Sequence, residues 1–427
     1  MSDERPQRPA NDDREAWKAY WAANGMAWRT EPEVDEARRR FLAERRSIKP
    51  DIAQGSYPFR DANGGVELDR ADVEWLLATH DDGRGPVRWE EEKDKANEDQ
   101  RWGPDLRGAD LRDADLLGLP LVGLRGGLTL REWIDATPAQ REQAPVDLAG
   151  ADLRFAQLAG ANLRGARLTR ANLFTSRLAG ASLGDAHLEG ADLRRTTFDK
   201  KTDLSGVSLA SEHRFWRSDR RQSPSGAASL GDILWGDADL TFVRWGPVQQ
   251  LGDEREARRA RDGAGKRKGR RSRLVEFEAA VRANRQLATR LRDQGMNDDA
   301  DRFAYRAQFL QRQVLRRHGR WVRYGGSVLL DVISGYGYRP MRSVAAYIVI
   351  IGLFAGAYLI NAQFAAPHLR WDEALVLSIS SFHGRGFFTT GISLGDTLAR
   401  LAAAEAIIGL LVEITFIATF TQRFFAR

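Results

Sequence analysis

Residues 148–173 read LAGADLRFAQLAGANLRGARLTRANL, and leucine returns there at every fifth position: Leu148, Leu153, Leu158, Leu163, Leu168 and Leu173. Two positions before each of the last five sits an alanine: Ala151, Ala156, Ala161, Ala166 and Ala171. A period of five fits neither the 3.6-residue repeat of a helix nor the two-residue alternation of a strand. It suits a coil that turns a corner after every five residues. Leucine then points inward from each side, and alanine fits where neighbouring coils crowd. Asp, Asn, Arg and Gly face outward or make the corner. Such a unit has no core of its own and is buried only by stacking on copies of itself.

The rhythm extends in both directions. Leu106, Leu111 and Leu116 precede the stretch, and Leu178, Leu183, Leu188, Leu193 and Phe198 follow it. The register breaks at 119–146, where Thr129-Leu-Arg-Glu-Trp-Ile-Asp135 reads as an inserted helix, and weakens after Lys200 before returning at Leu204, Leu209 and Leu240. The motif Ala-(Asp/Asn)-Leu-X-X, as in Gly150–Arg154 and Gly160–Arg164, closely resembles the pentapeptide-repeat family over roughly residues 105–245. That resemblance implies a right-handed, four-sided β-helix. With strands stacked ~4.8 Å apart and about four to five coils, the body is expected to be about 20–25 Å long.

The whole chain has 427 residues, room for two or three domains, and a formal net charge of +6. It has no cysteine, which excludes disulfide frameworks, cysteine zinc sites and thiol catalysis. The opening Met-Ser-Asp-Glu-Arg-Pro lacks the apolar run of a signal peptide, so the polar part, residues 1–340, is expected in the cytoplasm. Residues 1–100, with Trp17, Trp21, Trp28, Trp75 and Trp89, read as a cap or adaptor, and 101–250 as the solenoid with its insertion at 119–146. Residues 251–274 read as a basic linker whose Lys266, Arg267, Lys268, Arg270 and Arg271 suit an anionic lipid surface. Residues 275–335 read as a helical hairpin turning at Gly295. Within it, Ala300–Arg306 is similar to the hairpin that joins pentapeptide repeats to channel modules.

Residues 336–427 differ in kind. Val344–Phe364 and Leu398–Phe420 are long and apolar enough to cross a bilayer, which takes about 20 residues. Arg339 and Arg342 before the first, and Arg423 and Arg427 after the second, place both chain ends on the cytoplasmic side of an inner or plasma membrane. Between them Trp371–Ser381 is a short apolar helix that can re-enter the bilayer but not span it. A re-entrant helix, a glycine-rich loop, and a second helix with a central Gly409 resemble the two-transmembrane potassium-channel pore module over residues 340–425. The fold class is therefore an α+β multidomain membrane protein: β-helix, helical hairpin and two-helix re-entrant-loop pore domain.

The resemblance implies a homotetramer and a filter at Ser381, Phe382, His383, Gly384, Arg385, Gly386, Phe387 and Phe388. Gly384-Arg-Gly386 stands where that family has Gly-Tyr-Gly, and Phe382 removes a ring of threonine hydroxyls. A ring of Arg385 guanidiniums favours anions. Two alternatives stay open: Arg385 braces the loop on Glu405, Asp396 or Asp372, or the filter is Thr389–Asp396, which favours cations. His383 reads either as a proton sensor or as a packed histidine. Glu405 and Glu413, eight residues apart, are expected on roughly one face, lining the pore with the gating Gly409. An ionised Glu413 in the cavity opposes anion passage.

Ser334-Gly-Tyr-Gly-Tyr338 follows no re-entrant helix and reads as a linker turn. No phosphate loop or nucleophile motif appears, so an enzyme, a cofactor and a bound metal are not expected. Residues 147–199 carry six Asp/Glu against seven Arg, which speaks against mimicry of nucleic acid, and no nucleic-acid partner is expected. The partners expected are inorganic ions, membrane lipid and further copies of the chain. The competing class is an interaction scaffold anchored by two helices.

Overall fold

The computed structural model describes residues 8–10, 13–89, 102–211, 226–338, 340–364, 369–384 and 397–424. The chain divides into two compact units, Met1–Ala300 and Asp301–Arg427.

The first unit opens with α1 (Arg14–Ala23), α2 (Glu36–Ser47), the two-residue strands β1 (Arg60–Asp61) and β2 (Gly64–Gly65), α3 (Arg70–Ala78) and the single turn α4 (His80–Gly83). Asp13, Asp35 and Asp69 cap the first three of these helices with their side chains, satisfying amide donors that a helix start leaves unpaired. Phe59, Val66 and Leu68 are buried, and Glu67 pairs in parallel with Asp110. The N-terminal region thus closes the open end of the solenoid with its own backbone ladder.

In the solenoid every inward leucine from Leu148 to Leu193 is buried, at 0–1% exposure. Parallel bridges join Asp152 to Asn172, Gln157 to Arg177, Asn162 to Ser182 and Arg167 to His187. Each pair lies twenty residues apart, so four five-residue sides close one coil of a β-helix. Asn172 N donates to Ala151 O at 2.9 Å, and Leu173 N donates to Asp192 O at 2.8 Å, so each side hydrogen bonds to the coils above and below. The corner residue two places after each leucine takes the left-handed conformation, as at Gly150, Gly160, Gly165 and Gly180. Glycine suits that position because it has no Cβ to clash. Phe155, Arg170, Thr175, Asp185 and Arg195 occupy it regardless, with φ between 54° and 61°.

The insertion differs from the expected 119–146. Leu119, Leu121 and Leu124 are buried, and Arg125 bridges to both Asp105 and Asn162, so the coil continues through 128. The detour itself is two short helices, α5 (Leu130–Asp135) and α6 (Pro138–Gln143), each with a capping box. The expected linker at 251–274 is likewise folded. It contains α7 (Gly252–Arg258), an antiparallel bridge from Arg261 to Arg267, and the start of α8 (Arg270–Asp293).

From Asn297 the chain is helical. It forms α9 (Asn297–Arg317), α10 (Trp321–Ser334), α11 (Pro340–Phe364), α12 (Trp371–Phe382) and α13 (Thr397–Phe424). Gly295, with φ of 80°, makes the turn between α8 and α9. The expected hairpin at 275–335 therefore holds a third helix, α10. In the second unit α11, α12 and α13 pack on one another, and α10 packs on α11 and α13. Met341–Ala362 and Thr397–Ala418 are long and apolar enough to cross a membrane.

Candidate functional site

The short helix α12 is positioned by polar pins inside an apolar bundle. Asp372 and Glu373 sit in its first turn, where they suit the positive end of the helix dipole, and Glu373 accepts the Arg370 amide at 2.9 Å. Its inward face is Ala374, Ser378, Ser381 and Phe382, at helical spacings of three and four. Tyr358 O–H, from α11, donates to Glu405 Oε2 at 2.6 Å. The Ser378 hydroxyl hydrogen bonds to Glu405 Oε1 and reaches Ile351 O at 3.0 Å. Glu405 is fully buried, so a single carboxylate ties α11, α12 and α13 together.

One turn further along α13, a Cβ built on Gly409 would lie 2.0 Å from Phe382 O. Only glycine lets α13 approach the end of α12 this closely. Phe382 packs there with Ile333, Ile351 and Val412, and its ring meets Tyr347 edge-on at 4.9 Å. His383 follows. Its Nδ1 lies 2.8 Å from Ile379 O, and its Nε2 lies 3.5 Å from Glu413 Oε1. Both ring nitrogens thus face acceptors. A cavity of about 490 Å³ opens beside the pair, lined by Ser343, Tyr347, His383, Val412, Glu413 and Phe416.

The structure therefore sorts the sequence candidates. Ser381 and Phe382 are buried in the bundle, and His383 and Gly384 end the short helix. Arg385, Gly386, Phe387 and Phe388, together with the alternative filter at Thr389–Asp396, lie outside the described residues. Glu405 and Glu413 both meet α12 but differ in burial: Glu405 is enclosed by Tyr358 and Ser378, whereas Glu413 is partly exposed beside His383. Glu405 and Gly409, expected to line a cavity, instead face protein. Both oxygens of Glu405 have partners, and Asp372 lies 3.2 Å from Arg370.

In the basic run, Lys266, Arg267, Arg270 and Arg271 are exposed. Lys268 is not. Its side chain is 3% exposed, held between Glu256 and Glu276, and therefore unavailable to lipid. These two carboxylates hold its ammonium above the usual lysine range despite burial.

Sequence reasoning missed Tyr358 and Asp331. Asp331 accepts from Tyr305 at 2.9 Å, Arg312 at 3.0 Å and Arg342 at 3.2 Å, linking α9, α10 and the start of α11. A lone acid in the apolar Val328–Ile333 stretch was the available signal. Three surface hollows of the first unit stand out, one of about 480 Å³ beside Arg194, Asp253 and Arg255. A second, of about 910 Å³, is lined partly by Arg84, Arg88, Trp89, Gln157 and Arg177. Another, of about 500 Å³, includes Arg167, His187 and Glu189. Among the described residues no group of three or more His, Asp or Glu side chains is arranged to hold a metal ion.

The twenty-residue coil and its buried leucines define the class of the first unit, a pentapeptide-repeat β-helix. The family model for pentapeptide repeats matches residues 146–173 and 176–210, in eight copies. Among solved structures, the chain is similar to the pentapeptide repeat protein Rfr23 from the cyanobacterium Cyanothece 51142. That match has 22% identity, covers 32% of this chain and 67% of that one, and has a TM-score of 0.16. It is also similar to HetL, a pentapeptide repeat protein involved in heterocyst differentiation regulation from Nostoc sp. strain PCC 7120, with 26% identity, coverage of 32% and 54%, and a TM-score of 0.13. A third is a pentapeptide repeat protein of the Arabidopsis thaliana thylakoid lumen, with 23% identity, coverage of 30% and 84%, and a TM-score of 0.16. No curated protein matches the sequence.

Proposed function

We propose that the chain is the subunit of a homotetrameric ion channel in the inner or plasma membrane, with its right-handed, four-sided β-helix in the cytoplasm. The observation that carries this reading is α12. At 12 residues it is too short to span, yet it is held between two helices of spanning length through the buried Glu405. An anchor has no use for a short inserted helix, and a fully buried carboxylate is a costly way to attach one. A re-entrant segment needs both, because its end has to be fixed where the chain turns back.

In this reading four copies of the turn after His383 surround the water path, and Arg385 gives it a preference for anions. The cytoplasmic β-helix gates the pore. The test is the reversal potential of the purified full chain in planar bilayers under a chloride gradient. A shift toward the chloride equilibrium potential that shrinks in Arg385→Gln supports the reading. A shift toward the cation potential moves the filter to Thr389–Asp396.

A second reading is favoured by the repeat match at 146–210 and the 910 Å³ hollow on the same unit: a membrane-attached interaction scaffold. Absence of conductance across voltage and pH, with the protein inserted, selects it.

A further inference from the structure

Helix α10 is inside out. On a wheel of about 100° per residue, Trp321, Val322, Gly325, Leu329 and Val332 fall within about 100° of arc, an apolar stripe with no charge. That stripe faces away from the protein: Trp321 is 63% exposed, Val322 91%, Leu329 51% and Val332 64%. Ser327, Asp331 and Ser334 lie on the opposite side, and these three point inward. Asp331 meets Tyr305, Arg312 and Arg342, the Ser327 hydroxyl lies 2.8 Å from that of Tyr336, and Ser334 is 1% exposed. A helix bathed in water shows the reverse pattern.

We propose that α10 lies in the plane of the membrane surface, with Val322, Leu329 and Val332 sunk among the acyl chains and Trp321 at their boundary with the headgroups. The inference rests on the reading of α11 as a membrane helix. Three features select lipid as the occupant. Only Gly335–Tyr338 and the residue after it separate α10 from α11, so one apolar surface continues into the other through the exposed Met341, Ile348 and Leu353. Trp321 and Tyr324 are residue types that settle at the headgroup level. Arg320 and Arg323 are exposed at the start of the same helix, where anionic headgroups would meet them. In-plane helices bury such a face by about 5–10 Å. The Asp331 cluster then fixes the roll of the helix, because a turn about its axis would break the contacts to Arg312 and Arg342.

The chain has no native cysteine, so each introduced one is a unique label site. The full chain is reconstituted in vesicles of phosphatidylcholine and phosphatidylglycerol with brominated acyl chains. A fluorophore is placed singly by Val322→Cys, Val332→Cys, Leu353→Cys on α11, and Phe242→Cys on the solenoid. The expected result is loss of fluorescence at 322 and 332 to the extent seen at 353, with none at 242. Quenching at 353 but rapid reaction of 322 and 332 with a membrane-impermeant thiol reagent overturns the proposal while leaving α11 in the membrane. Protection of 322 and 332 from both bromine and reagent means that a second copy covers the stripe, and overturns it equally. No quenching at 353 ends the membrane reading itself.

Discussion

In the solenoid Leu173 occupies one of a long row of equivalent inward positions, each buried by the same contacts from the coils on either side. In the helical unit Glu405 has no equivalent: one carboxylate holds three helices, and one glycine, Gly409, sets how closely two of them approach. Repetition spreads stability over many small shares, so the pattern shows at once in the amino-acid order. A pinned bundle concentrates order at a few atoms whose partners lie far away in sequence, Tyr358 at 47 residues and Ser378 at 27. A repeat protein can therefore be damaged anywhere with similar cost, whereas the bundle has particular points of failure.

The largest expected effect tests the repetition. Leu173→Ala should destabilise the first unit by about 2–5 kcal/mol, the cost of a leucine-sized cavity in a core that cannot collapse. Urea denaturation followed by circular dichroism reads it, and a cost near zero would break the comparison. Next comes the pinned approach. Gly409→Ala should cost about 1–3 kcal/mol through overpacking against Phe382 O. Hydrogen exchange in lipid nanodiscs should show the α12 amides losing protection while the α8 amides do not. Tyr358→Phe removes one donor from Glu405 and should loosen the same helix by about 0.5–1.5 kcal/mol in that assay. Thr175→Gly acts in the other direction. A β-branched residue at φ of 61° is strained, and its replacement should stabilise the solenoid by about 1 kcal/mol, seen as a raised Tm.

The smallest effect concerns pH. Burial pushes Asp253 above the usual carboxylate range, outweighing the Leu230 amide that donates to it at 2.7 Å. A group raised in the folded state supports folding below its unfolded pKa of about 3.9. That support is lost as the pH rises through the folded value. Asp253→Asn should therefore show a smaller decline in urea midpoint on going from about pH 4 toward neutrality than the parent chain.

Much of the solenoid was legible because its signal is local. Leucine and alanine fall at fixed offsets, and the corner follows from them. The region at 251–274 was not, since a run of Lys and Arg looks solvated until its counter-charges are placed. Lys268 finds Glu256 and Glu276 only once α7 and α8 are formed. In the helical part, segment length announced α11, α12 and α13. The carboxylates at Glu405 and Glu413 announced that partners were needed. Which partners they take depends on how the helices cross, and no periodicity encodes that. Tyr358 looked like one more aromatic in an apolar run. Helix α10 was absorbed into the hairpin because its pattern is helical either way. Only the exposure of Val322 and the enclosure of Asp331 show which side faces outward.

The side excursion of the β-helix that holds α5 and α6 closes on a backbone hydrogen bond: Val146 N donates to Gly126 O at 2.7 Å where the chain returns. The bridge that straddles it, Asp115 to Asp152, is offset by 37 residues, one full coil plus seventeen. The excursion therefore leaves and rejoins the tower on the same rung. Its length can change without shifting the storeys above it, which makes this site the natural port for grafting a new recognition loop onto this framework.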